Sequence, residues 1–169
     1  IRWPGKINGG EETDALATTM DFLPSITNLI GGELPSKKID GIDMSELFFS
    51  NSNSSKRESF LYYNEDELEA IRYKNWKLHF KKEGKLINEL YDLGNDIGEK
   101  VNLYNQNKEI VTELSSLADD YRKSLGDKFF DIEGEEVRPA GRIADPKPLT
   151  EFDENHPYMY AEYDKGERG

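Results

Sequence analysis

Few side chains in this sequence are equipped for chemistry, and their spacing says of what kind. There are 2 histidines and no cysteine. His79 falls inside Trp76-Lys77-Leu78-His79-Phe80, whose alternation marks a half-buried strand. Trp76, Leu78 and Phe80 share one face, and Lys77, His79 and Lys81 the other. An imidazole on a polar sheet face can attract an anion when protonated. Asn64 opens the acidic loop 64–69, which carries Glu65, Asp66, Glu67 and Glu69. Those carboxylates repel an anion, whereas the Asn64 amide can donate and accept hydrogen bonds, which suits a sugar. An ordinary exposed strand and loop is the competing reading of both residues.

The remaining candidates reduce to structure. Asp119-Asp120 looks like a metal-binding carboxylate pair but sits in an amphipathic pattern, where charge marks a solvated helix face. Asp40 and Asp43 flank Gly41 as calcium-loop ligands do, yet the further oxygens and terminal Glu of such a loop are missing, so Asp40-Gly41 reads as a turn. His156 precedes Pro157 and reads as a surface histidine. No residue is assigned a catalytic or metal-binding role.

The elements that must position these groups are legible. Runs at 60–63 and 70–73 read as strands. Lys74-Asn75 is the right length for a two-residue hairpin before the Trp76 strand, and Asn tolerates positive φ. Glu83-Gly84 is the next turn; the strand after it carries Leu86, Leu90 and Tyr91 and ends at Gly94-Asn95-Asp96. Ile110, Leu114, Leu117, Tyr121 and Leu125 form one apolar stripe, capped by Asn105 or Asn107 and stopped at Gly126. That stripe needs cover, and the Trp76, Leu78, Phe80 face is its expected partner. Nearer the start, Pro24 suits a first helical turn, Leu23, Ile26 and Ile30 share a side, and Gly31-Gly32 stops the helix. Residues 50–56 read as a polar linker, and beyond Gly126 an irregular, proline-punctuated tail carries Phe152, Tyr158, Tyr160 and Tyr163.

A chain of 169 residues suits one domain or parts of two. Its net charge of −12 argues against a nucleic-acid partner or an anionic membrane surface. No apolar run reaches membrane-spanning length. The opening Ile1-Arg2-Trp3-Pro4 reads like the middle of a strand, so a longer N-terminus is expected.

The ordered pieces Ala70-Ile71-Arg72, Trp76-Lys77-Leu78 and Leu90-Tyr91-Asp92-Leu93, followed by Asp96, Glu99, Asn102 and Leu103, resemble the C-terminal part of a sulfatase of the alkaline-phosphatase superfamily. Arg2-Trp3-Pro4-Gly5-Lys6-Ile7, Asp21-Phe22-Leu23-Pro24-Ser25 and Asp40-Gly41-Ile42-Asp43-Met44 extend the resemblance towards the start, so that it covers roughly residues 1–125. Ile97 departs from it, standing where the family usually has proline. The resemblance implies an α/β fold: residues 1–50 end a large domain, 57–126 form a small antiparallel sheet packed on one long helix, and 127–169 are a tail. It implies a calcium- and formylglycine-dependent sulfuric ester hydrolase whose nucleophile and metal ligands precede this chain, so that neither cofactor is bound here. The partners implied are the N-terminal catalytic part of the same protein and a sulfated small molecule or glycan, in a periplasmic or secreted setting. Asn64 and His79 then become substrate-binding candidates on the pocket rim. Two other readings stay open: a phosphodiester or phosphonate ester hydrolase of the same superfamily, and a non-catalytic binding module.

Overall fold

In the computed structural model, residues 1–49, 55–138, 142 and 144 are described. The tail aromatics, His156 and most of the 50–56 linker lie outside them. Residues Ile1–Val137 form one compact unit. Its elements are α1 (Phe22–Leu29), β1 (Ser59–Asn64), β2 (Glu67–Tyr73), β3 (Trp76–Lys82), β4 (Lys85–Asp92) and α2 (Lys108–Leu125). Short 3-10 turns at Thr19–Asp21, Ser45–Phe48 and Lys128–Phe130 join them.

The four strands form an antiparallel meander in the order β1-β2-β3-β4. Each connection is two residues long and puts a residue in the left-handed region: Glu65 at φ 53°, Lys74 at φ 53°, and Glu83 at φ 50° with Gly84 at φ 74°. At the second hairpin the left-handed position therefore falls on Lys74. Two irregularities break the simple alternation. Between Tyr62 and Tyr63 the β1–β2 register shifts, because β2 holds one extra residue there. This bulge lets both Leu68 and Ile71 reach the core, three residues apart, where unbroken alternation would send them to opposite faces. A second shift lies between His79 and Lys81.

α2 covers one sheet face. The core joins Leu68, Ile71, Leu78 and Leu90 of the sheet to Val111, Leu114 and Ala118 of the helix, with Trp76 and Phe80 packed against them. Leu114 is fully buried, and Ile110, Leu117 and Tyr121 flank it. The buried line is nevertheless Val111, Leu114, Ala118 and Arg122, while Leu125, expected in the stripe, is 40% exposed. The reason lies at the helix end. Gly126, at φ 86°, turns the chain so that buried Asp127 accepts from Arg122 Nε at 2.9 Å, and Phe80 and Phe130 lie 4.6 and 5.1 Å from the guanidinium carbon. A paired, ring-stacked guanidinium thus takes the place that an apolar residue would fill.

The α1 segment is built the other way round. It turns Pro24 and Ser25 inward, while Phe22, Leu23, Ile26 and Ile30 are exposed. Asp21 is the knot beneath it. Its carboxylate accepts from Thr18 N, Thr18 Oγ1 and Ile42 N, and from Arg57 Nη2 at 2.5 Å and Nε at 3.0 Å. Ser25 Oγ donates to Asp21 O and accepts from Met44 N. Gly41 is required by close approach, because a Cβ there would collide with the Met20 carbonyl. The Asp-Gly-x-Asp stretch is thereby a strap across the base of α1, and Asp43 caps the turn after it by accepting from Ser45 N.

Candidate functional site

The sheet face that α2 leaves free is polar but not freely solvated. Cross-strand pairing places Tyr62, Ala70, His79 and Glu89 in one row, and Phe60, Arg72, Lys77 and Tyr91 in the next. Lys77 and His79 are only 14% and 16% exposed at their side chains. Lys81, expected beside them, is buried and pairs with Glu67, with its Nζ 4.9 Å from the Phe129 ring centroid.

Glu99, from the loop after β4, ties this face together. One carboxylate oxygen accepts from Lys77 Nζ at 2.6 Å, and the other lies 2.9 Å from His79 Nε2. The Lys77 ammonium also sits 4.4 Å from the Tyr62 ring centroid. Tyr91 meets the His79 ring edge-on at 5.7 Å and donates its hydroxyl to Glu89 at 2.9 Å. Burial and the Glu89 carboxylate push the Tyr91 hydroxyl up to about 12, so it stays protonated. Burial lowers the His79 pKa, and Lys77 lowers it further, against the opposing pull of Glu99. The ring is therefore neutral at pH 7. Burial alone would raise the Glu99 pKa, but its bonds to Lys77 and His79 outweigh that and hold it ionised.

Asn64 is less engaged. It ends β1 opposite Glu67 and donates to Glu69 at 3.3 Å. Tyr63, next to it, packs on the core, so Asn64 falls on the same sheet face as His79. Two strand spacings and two residues of rise separate it from the His79 row, about 12 Å. The fold thus puts both candidates on one face without bringing them into contact.

The loop that supplies Glu99 is built by the polar residues of the 90–103 stretch. Asp92 accepts from Gly94 N and Asn95 Nδ2; Asp96 accepts from the backbone N–H groups of Lys100 and Val101. Asn102 accepts from Leu90 N and Tyr104 N and donates to Asn88 O. Ile97 stands in this turn with its side chain exposed. The spacing of Asp96, Glu99 and Asn102 is therefore a loop-closing device. Glu99 is the residue missed as a site member, although its place in the motif was the available signal.

No group of three or more His, Cys, Asp or Glu side chains converges among the described residues. Asp119 and Asp120 instead pair with Arg122 and Lys123 on their own helix. No helix among the described residues is long and apolar enough to cross a membrane.

A four-stranded meander backed by one long helix, preceded by a strapped helix, is the architecture of the C-terminal part of an alkaline-phosphatase-like fold, as solved sulfatases show. One, from work on glycosaminoglycan metabolism by Bacteroides thetaiotaomicron, aligns over 72% of this chain and 28% of its own, with a TM-score of 0.60 and 27% identity. Another, BT4656 solved with D-glucosamine-2-N,6-O-disulfate, shares the fold at a TM-score of 0.56 and 22% identity, over 81% of this chain and 29% of its own. Residues 1–124 match the family model described as N-sulphoglucosamine sulphohydrolase, C-terminal, and the chain belongs to that sulfatase family. Arylsulfatase A of Bos taurus is 30% identical over 135 residues, 66% of this chain, and that of Homo sapiens 32% identical over 125 residues, 60% of this chain. The chain spans only 26% and 24% of the length of these two relatives.

Proposed function

We propose that this chain is the C-terminal part of a sulfuric ester hydrolase, and that it supplies scaffold and pocket rim while the nucleophile and metal ligands belong to a preceding catalytic part. The observation that carries this reading is the family match over residues 1–124 by a chain spanning about a quarter of its arylsulfatase relatives. Its chemistry agrees. The sequence has no cysteine and no Ser-x-Pro from which a formylglycine nucleophile is made. Calcium and formylglycine would then be held by the preceding part, and no step through either is assigned to residues here.

The free sheet face is the rim, and a sulfated sugar is the substrate class. Lys77 is paired with Glu99, His79 is neutral, and Arg72 turns its Nε to the Lys74 carbonyl, so the part of this face around Asn64 and His79 offers a sulfate little charge. It can instead meet hydroxyls, through Asn64 and His79, and the sugar in the family's description, N-sulphoglucosamine, and the glycosaminoglycan setting of one relative point the same way.

Two measurements test the proposal. The 169 residues alone, given an activated aryl sulfate and calcium, should show no turnover above a protein-free control; turnover refutes the missing-nucleophile reading. In the full-length protein, His79→Ala and Asn64→Ala should lower kcat/KM more for a sugar sulfate than for a small aryl sulfate. Changes under about twofold for both substrates, less than about 0.5 kcal/mol of transition-state binding, make these residues plain surface.

A further inference from the structure

Glu99 holds a backbone conformation that an L-residue adopts only under constraint, φ 51°. The turn around it is fixed on both sides: Glu99 N donates to Asp96 O at 3.1 Å, and the next two N–H groups donate to the Asp96 carboxylate. The side chain thus arrives at the sheet pre-placed, with its two oxygens divided between Lys77 and His79.

That division decides the chemistry of the imidazole. An ionised carboxylate only accepts hydrogen bonds, so the proton between it and His79 must sit on Nε2. In the neutral ring Nδ1 then carries the lone pair. The His79 side chain is 16% exposed, so the ring is not sealed from solvent. Tyr91 packs edge-on against the ring, with the centroids 5.7 Å apart. The charged or titratable groups around the ring are Lys77 on its own strand, Glu89 and Tyr91 on β4, Glu99 on the loop, Arg72 in the adjoining row of β2 and Tyr62 on β1.

We propose that Glu99 is a positioning residue: it locks His79 as the Nε2–H tautomer, so that Nδ1 becomes a fixed acceptor for a hydroxyl of a polyhydroxylated sulfate ester. This rests on the rim reading above and deepens it, since a neutral, oriented acceptor selects hydroxyl donors and is indifferent to the sulfate. Lys77 serves in the same clamp by holding the other Glu99 oxygen.

Imidazole nitrogen NMR reads the first half directly, because the chain has 2 histidines and the His156→Gln variant assigns them. The wild-type chain at pH 8 should show His79 as a single Nε2–H tautomer. Glu99→Gln, whose amide can donate as well as accept, should give mixed tautomers and a lower titration midpoint, with the backbone amide spectrum confirming the fold. Lys77→Met leaves Glu99 in place; it should keep the tautomer and raise the midpoint. An Nδ1–H tautomer in the wild type, or the same tautomer and midpoint in Glu99→Gln, overturns the positioning role. Kinetics of the full-length protein read the second half. Glu99→Gln and His79→Ala should each raise KM for a sugar sulfate about three- to tenfold, the worth of one hydrogen bond, and raise it less for an aryl sulfate. A locked tautomer with neither variant changing KM refutes the rim reading. A KM effect in His79→Ala but none in Glu99→Gln refutes positioning alone.

Discussion

Replacing Asp21 by Asn tests the claim that one buried carboxylate straps the helical segment to the sheet. Asp21 is 3% exposed and its partner Arg57 is 10% exposed at the side chain, so solvent screens the pair little. Burial alone would raise the Asp21 pKa, but the Arg57 guanidinium and the N–H groups of Ile42 and Thr18 outweigh it and hold it at about 2, against an ordinary 3.8. At about 1.4 kcal/mol per pKa unit, that difference makes the ionised form worth on the order of 2 kcal/mol to the folded state. The sign follows from the depressed folded value. The contribution is complete above roughly pH 5, drains as pH falls below the unfolded pKa, and is about two thirds gone by pH 2.5. Asp21→Asn removes it and leaves a buried guanidinium short of its counter-charge, which should cost about 3–5 kcal/mol near neutrality. The assay is urea unfolding followed by circular dichroism at pH values from 2.5 to 6, for wild type and variant. Other carboxylates, Asp43 and Glu99 among them, also titrate low, but they are common to both proteins and cancel in the difference. That difference should shrink by more than about 1 kcal/mol between pH 6 and pH 2.5. A constant difference across the range would refute the reasoning, because the carboxylate would then contribute packing alone.

Other perturbations probe separate parts of the fold. Leu114→Ala empties the centre of the α2–sheet core and should cost about 2–5 kcal/mol in the same unfolding assay; Leu125→Ala, at the exposed end of α2, should cost under about 0.5 kcal/mol, and equal losses would show that the buried line has been misplaced. Gly41→Ala sets a methyl against the Met20 carbonyl and should destabilise the strap under α1, which loss of hydrogen-exchange protection at Met44 N, the donor to Ser25, would report. Ile26→Asp, on the exposed side of α1, should leave the unfolding midpoint near wild type while lowering self-association and the binding of apolar dyes; an unfolding penalty as large as that of Leu114→Ala would mean that this side is buried after all.

Much of this architecture was legible because its signals are local. A two-residue spacer between Tyr73 and Trp76 forces an antiparallel pair, Glu83-Gly84 forces the next, and an apolar residue every third or fourth position from Ile110 forces a helix with one face to cover. Each pattern is set by the backbone geometry of its own segment, and the motifs that mark the sulfatase family are of the same kind. What only the tertiary structure decided depends on atoms far apart in the chain. Periodicity gives the side of α2 that turns inward but not its midline, which moved to Ala118 and Arg122 because Asp127 and two phenylalanines were waiting for the guanidinium. The acidic run 64–69, read as a loop, hid a two-residue turn and a bulge, because an extra residue leaves no mark in composition and its cost is met by the core contacts it permits. Asp21 stood only as the first residue of a family motif until Arg57 and Ile42 closed on it. Glu99 looked like a motif letter until folding placed it between Lys77 and His79, twenty residues and more away, where a carboxylate's two oxygens could settle the charge of one and the proton of the other.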